Sequence, residues 1–68
     1  MYRVKVYIGT QVADGHWDVA VSSLDEAETH FRGMLSSPAI LMDDEEGLRR
    51  VYLTAAITGF LIYKIDKK

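Results

Sequence analysis

The thirteen residues VYLTAAITGFLIY, positions 51–63, form the longest uncharged stretch of this chain and lie between Arg49-Arg50 and Lys64. As a helix they would rise only about 20 Å, well short of the roughly 30 Å hydrocarbon core of a bilayer, so a membrane span is not expected. Nine of the fifteen residues from Val51 to Ile65 are β-branched or aromatic, and Gly59 interrupts them. That composition favours a hairpin or a bent strand pair. A second helix starting near Asp43 competes with this reading, because the spacing to Glu46 imitates a capping box and Lys64, Lys67 and Lys68 would complement a helix C-terminus. Whether residues 44–66 form a hairpin or a helix is open at this level.

Read as strands, the stretch is apolar on both faces. Val51, Leu53, Leu61, Tyr63 and Ile65 fall on one side, and Tyr52, Phe60 and Ile62 on the other. A sheet with one wet face needs only one apolar set. The second set is explained by a central strand position, by local cover from the chain ends, or by a surface buried in an oligomer or complex, and Tyr52, Phe60 and Ile62 are the candidate residues for that surface.

With 68 residues and no cysteine, the chain is expected to be a single domain over 1–68, held by a small core without disulfides. Two histidines, His16 and His30, do not make a structural zinc site, and no metal or cofactor is called for. Unstapled scaffolds of this size commonly gain burial by oligomerising or docking.

YRVKVYIG, residues 2–9, alternates Tyr2, Val4, Val6 and Ile8 against Arg3, Lys5 and Tyr7, the pattern of a half-buried strand. It lacks the basic-then-apolar order of a signal peptide, so a cytoplasmic location is the default expectation. Asp14-Gly15 supplies hairpin turn chemistry, and HWDVAVS follows with Trp17, Val19 and Val21 on one side, predicting an antiparallel partner for the first strand. Ser23 is a good N-cap with Glu26 three residues on, and Pro38 marks the far limit of a helix over 24–35. Its stripe of Leu24, Ala27, Phe31, Met34 and Leu35 should cover the Val4/Val6/Trp17/Val19 face. AILMD after Pro38 reads as a short strand, and the acidic run with Gly47 as a loop. The expected fold is α+β: an antiparallel sheet in the order β-β-α-β-β-β with one helix packed on one face.

No catalytic constellation emerges. His16 and Asp18 share a strand face, but no cysteine and no serine in an elbow-like turn accompanies them, and neither Gly9 nor Gly15 opens a helix as a phosphate loop would. The chain is therefore read as non-enzymatic. Asp43, Asp44, Glu45 and Glu46 lack the alternating spacing of a cation loop and read as a solvated turn or as an electrostatic docking patch for a protein partner. The sheet face opposite the helix carries Arg3, Lys5 and Tyr7, with Arg50 and Lys64 as further candidates. Cations interleaved with aromatics are what a nucleotide or single-stranded nucleic acid requires, although the net charge of −2 argues against it.

The element order, the small size and the helix opening SSLDEAE resemble small phage- and plasmid-encoded proteins, among them anti-CRISPR inhibitors with one helix on an antiparallel sheet. The first hairpin and helix are also similar to HicB-type antitoxins, whose DNA-binding segment has no counterpart here. The two apolar strand faces, the acidic loop and the missing catalytic chemistry point to a homo-oligomeric protein-binding module. The first resemblance implies a phage-like inhibitor of a host defence protein, and nucleotide or single-stranded nucleic acid binding through the basic sheet face is the alternative.

Overall fold

The computed structural model describes residues 1–44 and 46–65. Strand β1 (Tyr2–Ile8) is the spine of the fold. Its alternation behaves as the sequence predicts: Val4 and Val6 are fully buried, while Arg3, Lys5 and Tyr7 remain partly exposed on the other face. β1 carries antiparallel strands on both edges. On one edge it pairs β2 (Gln11–Val12) through Tyr7 and Ile8, then β3 (Trp17–Val19) through Tyr2, Arg3 and Val4. On the other it pairs β6 (Ile57–Lys64) along its whole length.

The first turn is not where the sequence placed it. The chain reverses at Gly9, whose φ of +67° is the left-handed conformation that glycine adopts at no steric cost, whereas Asp14-Gly15 forms an irregular excursion between β2 and β3. A two-residue strand is thereby added to the expected order. The antiparallel partnership between the first strand and the Trp17 segment holds.

Helix α1 (Leu24–Met34) opens on Ser23, whose hydroxyl accepts from the Glu26 N–H at 3.2 Å. The Glu26 carboxylate answers one residue earlier than a standard capping box, taking the Ser22 hydroxyl at 3.0 Å. Leu35 is the C-cap, so the helix ends one residue short of the predicted limit. Ala27 and Phe31 are buried, and Met34 and Leu35 pack partly against the core, but Leu24 is exposed.

β4 (Ala39–Asp43) and β5 (Arg49–Leu53) form a separate antiparallel hairpin, joined to the first sheet by a bridge between His16 and Asp43. Ile40 and Met42 from β4 complete the core with Val4, Val6 and Phe31. The helix alternative for the C-terminal third is not adopted. Neither do its strands pair with each other: a single 3-10 turn at Thr54–Ala56 sends β5 to β4 and β6 to β1. Gly59 lies inside β6, opposite Tyr7, instead of marking the break. The architecture is α+β, with antiparallel sheets and one helix, in broad agreement with the expected order. Among the described residues, no helix is long and apolar enough to cross a membrane.

Candidate protein-docking surface

Within the acidic run, Asp43 and Asp44 are engaged inside their own loop. Asp43 ends β4 and pairs with Arg49 opposite it, Nε to Oδ1 at 3.2 Å, with both side chains largely in solvent. Asp44 turns inward, its side chain only 7 % exposed. One of its carboxylate oxygens accepts the Leu48 N–H at 2.9 Å and the Glu46 N–H at 3.0 Å, and the other takes Arg50 Nε at 3.2 Å. It organises the β4–β5 loop as an Asx-type turn does. Glu46 is exposed, and Glu45 lies outside the described residues.

These partners hold the Asp44 carboxyl below the usual carboxylate range, chiefly the Leu48 N–H, then the Glu46 N–H and Arg50. A depressed folded-state pKa means that the unfolded chain binds the proton first, so the stabilisation is complete above the unfolded value of about 3.9 and is lost as pH falls through the folded one. Asp44→Asn should therefore be less stable than the parent chain at neutral pH, with the gap closing below about pH 4. Urea unfolding of both proteins over a pH series checks this. A gap that stays constant into strong acid would show that Asp44 acts through its shape and not its charge.

Tyr52, Phe60 and Ile62 all sit on the core side. Tyr52 packs partly against the buried cluster while its hydroxyl accepts the Gly15 N–H at 3.3 Å. The Phe60 ring lies 4.8 Å from that of Phe31, with the Arg32 guanidinium 5.9 Å above it, and Ile62 packs against the same cluster. Their faces are largely occupied from within.

The basic and aromatic set is divided. Arg3, Lys5 and Tyr7 do share the face away from the helix, opposite Tyr63, Leu61 and Gly59 of β6. Arg3, however, is held in a fork by Asp18, Nε to Oδ1 at 2.8 Å and Nη2 to Oδ2 at 3.1 Å, and this pairing raises its pKa further. Arg50 pairs with Asp44 and, at 3.9 Å, with Asp14. Lys5 borders a polar cavity of about 360 Å³ whose other walls include Asp14, Asp44 and Glu46. Lys64 stands opposite Tyr2, in the alternate set of positions from Arg3 and Lys5. The cations that a polyanion would need are thus matched by carboxylates or turned elsewhere.

The outer face of the β4–β5 hairpin presents a different surface. Its register sets Ile40 opposite Tyr52 on the inner side, and Leu41 opposite Val51 and Ala39 opposite Leu53 on the outer. Leu41, Val51 and Leu53 are 55 %, 61 % and 63 % exposed. Three large apolar side chains on neighbouring positions of one small hairpin form a continuous patch, ended by the Asp43–Arg49 ion pair. Periodicity puts Val51 and Leu53 on one face, opposite the expected contact residues Tyr52, Phe60 and Ile62, and Leu41 is not among those expected. The alternation in AILMD and RRVYL contained the signal. Comparison of the chain with protein-family models, with curated proteins and with solved structures finds no match.

Proposed function

We propose that this protein is a non-enzymatic binding module that self-associates and acts by occupying a surface on another protein, with the outer hairpin face as its docking surface. The observation that carries this reading is the exposed Leu41/Val51/Leu53 patch, since an apolar surface of this kind, with a polar border, is the usual signature of a contact. Steric inhibition of a host defence protein is the form of such activity suggested by the resemblance to small phage- and plasmid-encoded proteins. Nucleotide or single-stranded nucleic acid binding has weaker support, because Arg3 and Arg50 are already engaged by carboxylates.

The test is a paired capture experiment in cells that produce the chain, using the parent protein and a Val51→Glu/Leu53→Glu variant. Exposed substitutions of this type typically change stability by no more than about 0.5 kcal/mol each, so the variant should remain folded. A protein retained by the parent and lost with the variant supports the docking role. Identical retained sets would refute it.

A further inference from the structure

β6 has β1 on one side, and no strand pairs its other edge among the described residues. The ladder reveals which backbone groups that edge presents. Ile65 donates its N–H to the Met1 carbonyl at 3.1 Å, so the pair Met1/Ile65 and every second pair after it, Arg3/Tyr63, Lys5/Leu61 and Tyr7/Gly59, point their N–H and C=O groups at each other. The Val6 carbonyl, which accepts from Ala13 on the opposite edge of β1, fits the same parity. Phe60, Ile62 and Lys64 consequently direct their backbone groups outward.

Natural edges are protected by charges, prolines, bulges or very short strands. β5 carries Arg49-Arg50 on its five residues. On β6 the devices stand only at the ends: a register irregularity around Thr58, whose hydroxyl donates to the Gly9 carbonyl at 2.7 Å, and Lys64. Between them Gly59-Phe60-Leu61-Ile62-Tyr63 has no charge and no proline. Leu61 is the central residue of this window.

We propose that the occupant of this edge is a second copy of the chain, paired antiparallel through β6 about a two-fold axis at Leu61. In that register Phe60 and the partner's Ile62 exchange both backbone hydrogen bonds, and the symmetry repeats the pair. Leu61 meets its own counterpart at a non-hydrogen-bonded position, where side chains approach closest. Gly59 falls opposite the partner's Tyr63, so an aromatic ring covers the one position without a side chain. No like charges are brought together. Beyond the ladder, the partner's strand end runs beside an apolar concavity of about 410 Å³ lined by Leu35, Ala55, Ile57 and Phe60. The proposal rests on the self-association part of the reading above and assigns it to β6; the hairpin face stays free for another protein.

Light scattering over a dilution series is the test, on the parent chain and on Leu61→Glu, which sets a carboxylate opposite Lys5 within one chain but two carboxylates side by side across the axis. The parent should reach twice the 7.7 kDa chain mass, Leu61→Glu should remain at one chain mass, and mixing it with Leu61→Lys should restore the two-chain species. If Leu61→Glu fails to fold, Leu61→Cys decides, since the chain has no other cysteine: oxidation should yield a covalent dimer, and failure to cross-link overturns the register. A parent chain that stays monomeric overturns self-association altogether. A dimer that survives Leu61→Glu but dissociates in Val51→Glu/Leu53→Glu overturns the β6 assignment alone and moves self-association to the hairpin face.

Discussion

Phe31→Ala should abolish cooperative folding, or come close to it. Phe31 is fully buried and touches every layer of the molecule: it clusters with Val4 and Val6 of β1 and with Ile40 and Met42 of β4, and its ring lies 4.8 Å from Phe60 and 6.2 Å from Trp17. Truncating a buried Phe to Ala typically costs about 3–5 kcal/mol, the sum of lost transfer energy and an unfilled cavity. A domain of this length has roughly 3–10 kcal/mol of total stability at the usual value per residue. The expected loss is therefore a large part of the whole, and the absence of cysteine leaves no disulfide to hold the unfolded chain in check. Near-ultraviolet circular dichroism from Trp17 and urea unfolding would report it. Leu24→Ala, on the same helix but at a position 50 % exposed, should change stability by no more than about 0.5 kcal/mol. Equal, small shifts in both variants would mean that the helix does not anchor the core.

The difference between these two helix positions shows what was legible beforehand. Alternation in residues 2–8 and helical spacing in residues 24–35 are local signals, and each correctly identified the side facing the core: Val4 with Val6, Ala27 with Phe31. Capping chemistry likewise located the start of α1 after Ser23, and the Pro38 limit placed its end within one residue. The C-terminal third was harder because both of its faces are apolar. Periodicity divides Tyr52, Phe60 and Ile62 from Val51, Leu53 and Leu61, but it does not say which set is covered, since that depends on strands far away in sequence. β5 packs its even positions inward because it follows β4, and β6 does so because it follows β1. The proposed contact surfaces consequently lie not on the side chains of Tyr52, Phe60 and Ile62 but on the outer hairpin face and the backbone edge of β6.

Turns and charges failed to read for a related reason. Asp14-Gly15 and Gly9 both have turn composition, and the choice between them is made by the pairing of β1 with two short strands instead of one. The acidic run declares a charge of one sign but not the direction of each carboxylate. Asp44 caps the loop amides and pairs with Arg50, while Glu46 stays in solvent.

Gly15→Ala should loosen the hairpin without dissolving the rest of the fold. Gly15 is buried where the β2–β3 excursion meets the hairpin, and a Cβ there would stand 3.0 Å from Met42 Cβ and 3.3 Å from the Tyr52 hydroxyl. Tyr52 can swing its ring by a small amount, but Met42 Cβ is fixed to the β4 backbone and Met42 is only 1 % exposed. Relief requires β4 and the Gly15 segment to move apart by a few tenths of an ångström. That displacement would strain the two hydrogen bonds at the joint, Gly15 N–H to Tyr52 and His16 N–H to the Asp43 carbonyl at 3.0 Å. Overpacking of this kind costs about 1–3 kcal/mol. Because the paired strands β1, β3 and β6 do not run through the joint, the cost should appear as local opening. Hydrogen exchange should accelerate at β4 and β5 amides while β1 amides keep most of their protection. Uniform acceleration would mean that hairpin and sheet unfold as one unit, and no acceleration would mean that β4 yields at this point without cost. The local outcome bears on the proposed function as well, since the Leu41/Val51/Leu53 surface is held in shape by the same two strands, and a variant that opens them should lose binding at the proposed docking surface before it loses its fold.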